Sequence, residues 1–211
     1  MKTYILLISV VFNFIACGNS GSKNQNETGK ISGDSDTCNT PDAPLHCLFM
    51  NAPPDPDHIM IIADSTEAGT RMIIKGQILK KEDKAPYSDL IIYAYQTDSS
   101  GYYSKKGNET GVQKWHGHLY GYCKTDQEGK YEIITIRPGR YPGNKFPAHI
   151  HWAVKERDGN IFYLNDFVFS DDSLVTGDYL SRLNYKGDNG IIKLHETGRG
   201  IQEGSRITIV E

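Results

Sequence analysis

From about Gly69 onward, apolar and polar residues alternate in short runs with a period of two, the spacing of half-buried strands. The runs Arg71–Lys81 (RMIIKGQILKK) and Asp89–Thr97 (DLIIYAYQT) are rich in β-branched and aromatic residues, with turn residues between them. YGYCKTD and KYEIITIRP flank QEG, and AHIHWAVKE and IFYLNDFVF flank RDGN; both spacings predict hairpins, the second on Asp158-Gly159. IIKLHE and RITIV supply further strands, and only Asp178 to Asn184 reads as a short helix. Many short strands with regular turn signals predict an all-β fold, an antiparallel β-sandwich with few short helices, and no internal repeat is visible.

Ahead of that domain the pattern changes. Lys2 and the apolar run Tyr4 to Ala16 have the form of an export signal, too short to span a bilayer. The run ends in FIAC, which resembles a bacterial lipobox; that resemblance implies lipidation of Cys17 and anchoring in the cell envelope, with residues 1–17 as the signal peptide. Residues 18–36 are polar and rich in Gly and Ser, as a flexible tether is. Residues 37–68 hold Cys38, Cys47 and several prolines and read as an irregular extension, with the globular domain at 69–211. Export permits disulfides, and Cys38 with Cys47 is the favoured pair, while Cys123 lies in a strand and reads as a small buried hydrophobe.

Composition narrows the chemistry only a little. Among 211 residues, 23 basic and 26 acidic side chains leave a net charge of −3 without a basic stripe, which excludes nucleic acid as a partner. The thirteen tyrosines strengthen the β assignment.

The stretch Thr135 to Val154 (TIRPGRYPGNKFPAHIHWAV) carries the chemistry. Residues two apart on a strand share a face, so His149 and His151 point the same way with Ile150 opposite. Neutral imidazole is the commonest metal ligand, and the phenol of nearby Tyr141 offers a hard oxygen suited to a ferric ion. His116 and His118 (WHGH) form a rival pair, read in preference as loop or pocket-lining histidines. Trp115 and Trp152 read as packing residues and Asp126 as a turn former.

Residues Thr125, Asp126, Gly129, Tyr131, Thr135, Ile136, Pro138, Tyr141, Pro142 and the run Pro147 to His151 together resemble the intradiol ring-cleavage dioxygenases, non-haem ferric enzymes that open catechols between their two hydroxyls. The likeness extends from about Met72 to about Asp172. It implies Fe(III) as cofactor, a small-molecule catechol and O₂ as substrates, and a ligand set of two tyrosines and two histidines. By resemblance, Tyr141 and His151 are axial ligands, Tyr141 being the one that leaves as catechol binds, and His149 is equatorial. The fourth ligand belongs to the YAYQTDSSGYYS loop, where the spacing from Gly101 selects Tyr103, with Tyr102 as the alternative one residue away. Two departures stand out. Phe146 occupies the place of a family arginine that stabilises developing substrate charge, leaving Arg140 as a possible substitute, and Asp166 (or Asn165) stands for a family glutamine; Phe146 and Asp166 are then substrate-binding positions. The loss of that arginine also admits a second reading, a non-catalytic domain that binds ferric iron or catechol.

Overall fold

The computed structural model describes residues 37–143 and 145–210. Cys17, the export signal and the tether lie outside the described residues.

Among the described residues, eleven strands form two sheets. The first contains β1 (Ile59–Ile61), β2 (Arg71–Lys80), β5 (Lys130–Ile136), β10 (His195–Glu196) and β11 (Gln202–Val210), in the order β1-β5-β2-β11-β10. The second contains β3 (Ile91–Gln96), β4 (Tyr120–Lys124), β6 (His149–Lys155), β8 (Phe167–Phe169) and β9 (Ile191–Ile192) in the order β4-β3-β6-β8-β9, with β7 (Ile161–Tyr163) paired to β6. Met72, Ile74 and Ile133 of the first sheet pack against Ile92, Trp152 and Phe167 of the second, which makes the domain the expected β-sandwich. Free Cys123 is buried in this core, and so is Trp152. Single-turn helices α1 (Gln113–His116) and α2 (Gly177–Leu180) sit in the connections; α1 had no signal in the sequence pattern.

The sandwich is not purely antiparallel. β1 pairs with β5, β9 with β8, and β11 with β2 in parallel, the last along nine residue pairs. Alternation reports which face a residue takes but not the direction of a neighbour far along the chain. For the same reason the QEG turn does not close a hairpin: β4 joins the second sheet and β5 the first. Asp126 does support the turn there, accepting the amides of Glu128 and Lys130 on Oδ1 at 2.8 Å each. The RDGN hairpin forms, with Lys155 opposite Ile161. The segment 37–68, read as irregular, contributes strand β1.

On β6, Ile150, Trp152 and Val154 face the core between the sheets. Its other face, shared with Tyr93 and Tyr95 of β3, is covered by Cys38, Cys47, Leu48 and Phe49 of the extension, and Cys38 and Cys47 are disulfide-bonded. The extension therefore covers the face of the second sheet that bears the histidine pair.

Candidate metal centre

Strand periodicity puts His149 and His151 side by side, with their Nε2 atoms 3.1 Å apart. Tyr141 Oη lies 3.0 Å from His149 Nε2 and 3.1 Å from His151 Nε2, and 2.5 Å from Tyr103 Oη. Four donor atoms from three chain segments thus converge on one point. Tyr103, not Tyr102, is at the centre; Tyr102 is 59% exposed.

The two tyrosine loops are held together through glycines. Gly139 donates its amide to Asp98 O at 2.8 Å, and Asp98 Oδ1 accepts the amides of Ser100 and Tyr102 at 2.8 and 3.1 Å. Gly101 adopts φ +88°, and a Cβ there would lie 1.9 Å from Arg140 O. Glycine is therefore required for the close approach that brings Tyr103 to Tyr141.

The imidazole tautomers follow from their outer partners. His149 Nδ1 donates to Pro147 O at 2.7 Å and His151 Nδ1 donates to Asp166 Oδ1 at 2.9 Å, since a carbonyl and a carboxylate only accept. Both Nε2 lone pairs then face the centre. The four convergent atoms carry only two protons, those of the phenols. Tyr103 donates to Tyr141, Tyr141 donates to one imidazole, and the other Nε2 has no donor from within the set. An acceptor-rich centre of this kind fits a cation. Ligands about 2.1 Å from a shared ion lie about 3 Å apart, which is the spacing these atoms show. Two phenolic oxygens with two imidazoles make a hard-to-intermediate set that suits iron(III). Burial pushes the Tyr103 and Tyr141 phenols up, and it pushes His149 down, helped by the neighbouring His151. A bound cation offsets that cost for the phenolates.

Asp166 reaches His151 through an irregularity in the strand. Ala153 is opposite Tyr163 and Ile150 opposite Phe167, so three steps along β6 are met by four along its partner. The extra residue is a bulge within Leu164–Asp166, and it turns Asp166 toward the histidine face. Asn165 anchors the bulge: its carbonyl accepts Trp152 Nε1 at 2.9 Å and its amide nitrogen Nδ2 donates to Asp188 O at 2.8 Å. Asp166 lines the neighbouring cavity, and it is the orienting partner of His151.

Arg140 is engaged elsewhere. Its Nε and Nη2 bond Asp172 at 3.0 and 2.6 Å, and it does not line the cavity beside the Tyr–His cluster. It is therefore not positioned as a substitute for the missing family arginine. Asp172, which no sequence signal singles out, also accepts the amides of Ala148 at 2.8 Å and Leu174 at 2.9 Å. Burial pushes its carboxyl up, but the bonds from Arg140 and the two amides prevail and hold it below its ordinary value. The effect is to tie the Tyr141 loop to the entry of β6.

The rival pair separates. His118 bonds Glu67 through Nε2 and Ser104 O through Nδ1, both at 2.9 Å. His116 stacks flat on Tyr95 with ring centres 3.6 Å apart and shares a 2.9 Å bond with Tyr93 Oη. Tyr95 in turn packs on His151, so His116 backs His151 from behind.

Burial, and to a lesser degree the proximity of His151, push His116 down to about 3, from the ordinary 6.5 of an unfolded chain. Between those values the unfolded chain binds a proton that the fold does not. Stability is therefore expected to fall as pH drops from about 6.5 toward 3, and to be independent of this group above 6.5. His149, also pushed down, acts in the same sense. His116→Phe is expected to keep the stack, lose the Tyr93 bond, and flatten the decline by up to about 1.4 kcal/mol per pH unit. Urea midpoints measured across that range check this; an unchanged slope refutes it.

A cavity of about 530 Å³ opens beside this cluster, lined by Tyr141, His149 and His151 together with Phe146, Tyr179 and Tyr185. That volume is within the range of small-molecule sites.

A fold of this kind has known counterparts. The sequence model of the dioxygenase family matches residues 43–197, and the chain belongs to the intradiol ring-cleavage dioxygenase family. It is 30% identical over 92 residues to the protocatechuate 3,4-dioxygenase beta chain of Burkholderia cepacia, a match covering 41% of this chain and 39% of that one. It is 25% identical over 130 residues to catechol 1,2-dioxygenase of Candida albicans, covering 54% of this chain and 39% of the relative. The matches thus span about two fifths of the length of these relatives. Among solved structures, the dioxygenase domain of a carbohydrate-binding fusion protein from Streptomyces sp. SirexAA-E superimposes with a TM-score of 0.55 at 19% identity, covering 77% of this chain and 95% of that domain. An intradiol ring-cleavage dioxygenase from Tetranychus urticae superimposes with a TM-score of 0.54 at 19% identity, covering 72% and 85%. These superpositions agree with the all-β sandwich fold.

Proposed function

We propose that the protein is a non-haem Fe(III) dioxygenase that uses O₂ to open a catechol between its hydroxyls. The observation that carries this reading is the convergence of Tyr103, Tyr141, His149 and His151 beside a cavity large enough for an aromatic substrate. These four residues would hold the ion, which supplies Lewis acidity and keeps bound phenols ionised at neutral pH.

The chain's own residues do the rest. Tyr141 is the hub of the set, touching the other three ligands, and it lines the cavity where Tyr103 does not. A catechol hydroxyl entering there meets Tyr141 Oη, which as phenolate is placed to take one of the two catechol protons. His149 and His151 stay fixed through Pro147 and Asp166, so a change at Tyr141 does not loosen the imidazoles. Phe146 brings apolar surface to the cavity and offers no hydrogen bond, so it excludes water without stabilising charge. The net reaction adds both atoms of O₂ to the ring carbons that bore the hydroxyls and yields a ring-opened dicarboxylic acid.

Iron-loaded protein is expected to be reddish from tyrosinate-to-iron charge transfer, at one iron per chain. Tyr103→Phe is expected to shift and weaken that band, and Tyr102→Phe to leave it nearly intact. Visible spectra with metal analysis test the ligand set, and the reverse ranking overturns the placement of Tyr103. Oxygen uptake with ring-opened acid products, measured across a catechol panel, tests the reaction; a ferric protein that consumes no catechol refutes it.

A further inference from the structure

We infer that the cavity has a distal subsite for a second, uncharged aromatic ring, so that the preferred substrate is an aryl-substituted catechol rather than a bare one; this rests on the catechol reading above. A bare catechol is a single ring placed against Tyr141, and a space of about 530 Å³ is of the size that encloses multi-ring ligands. The surplus space is bounded by aromatic and aliphatic side chains. Phe146, Tyr179 and Tyr185 line it with Leu174 and Leu183.

Two of these side chains are exposed to a degree that packing alone does not explain. Phe146 is 49% exposed and Tyr185 50%, two of the largest apolar groups open to solvent among the described residues, and both border the same cavity. Exposed aromatic surface concentrated at one concavity marks a binding surface. Tyr185 is steadied at this position by Tyr163, with ring centres 5.5 Å apart.

The charge at the opening favours a neutral substituent. The charges along the lining balance: Lys145 and Arg182 stand against Asp166 and Asp178, and Arg182 and Asp178 pair with each other. The wall that carries them is the segment from Leu174 to Tyr185, built around α2, whose first turn is capped by Thr176 Oγ1 accepting the Tyr179 amide at 3.2 Å. An aryl group placed there loses its hydration to four or five apolar neighbours.

The test compares binding of catechol, 4-phenylcatechol and 4-carboxycatechol to the full iron-loaded protein, and of 4-phenylphenol to the metal-free protein. Burying one ring is expected to make 4-phenylcatechol bind at least tenfold more tightly than catechol. A Phe146→Ala, Tyr185→Ala double variant is expected to bring that ratio toward one and to abolish binding of 4-phenylphenol. Equal affinities for catechol and 4-phenylcatechol, or a preference for the carboxylate, overturn the subsite. If 4-phenylphenol binds in a way that depends on Phe146 and Tyr185 while no catechol binds the iron-loaded protein, the subsite stands and the catechol reading falls. If catechols bind and are opened with no gain from the second ring, the reverse holds.

Discussion

Alanine at position 101 is expected to cost the protein at least tenfold in iron affinity and most of its tyrosinate colour, although residue 101 touches no metal. The added Cβ would sit 1.9 Å from the carbonyl oxygen and 2.8 Å from the carbonyl carbon of Arg140, both backbone atoms that cannot rotate away. The residue would also have to hold φ +88°, which costs any L side chain. Overpacking and backbone strain together amount to roughly 3 kcal/mol, and the chain relieves them by parting the Asp98–Tyr103 loop from the Arg140–Pro142 loop. That movement takes Tyr103 away from Tyr141. Gly107 is the control: its φ is +96°, but a Cβ there meets nothing within 4 Å, so Gly107→Ala carries strain without collision and is expected to keep colour and iron. Iron titration followed by visible spectra decides the matter, and a Gly101→Ala protein that titrates like wild type disproves the coupling.

Removing the carboxylate of Asp166 is the second large effect. Its Oδ1 accepts the His151 Nδ1 proton and so holds the Nε2 lone pair on the centre. Partners of this kind typically account for about tenfold to a hundredfold in metal affinity. Asp166→Ala is expected to lose that much, and Asp166→Asn, whose amide oxygen still accepts, to fall between. Nitrogen NMR of the imidazoles in metal-free protein supplies an independent reading: His151 is expected to be predominantly Nδ1-protonated in wild type and a mixture of tautomers in the alanine variant. Wild-type affinity in Asp166→Ala excludes the orienting role.

These two residues also mark how far the site was legible in the sequence. The period of two on one strand sufficed to place His149 and His151 together, because strand geometry ties spacing to direction. The family-like motif supplied Tyr141, and counting from Gly101 supplied Tyr103, although why a glycine stands there emerges only from the approach of Arg140. Asp166 was legible as a position near the site but not as a partner of His151. Its direction depends on one extra residue in a bulge, which breaks the alternation that prediction relies on. Arg140 was misjudged because its bond to Asp172 joins positions that no periodicity relates. The same limit governed the sheets: most strands were recognisable from Val, Ile and Tyr content, but which sheet β4 and β5 enter, and that β2 and β11 run in parallel, are properties of tertiary pairing.

The parallel pairing of β2 with β11 has a kinetic consequence. β2 is among the first strands of the chain and β11 is the last described, yet they share nine residue pairs at the middle of one sheet. Until β11 arrives, β2 has an open edge and Ile74 and Ile78 lack part of their cover. The entropy of closing so long a loop must be met before this pairing returns anything, which places the domain among slow-folding topologies. In the interval the unpaired edge of β2 is the surface most exposed to association with other chains. Conditions that slow the delivery of the final strand are therefore expected to be those under which the protein aggregates, whatever the stability of its finished fold.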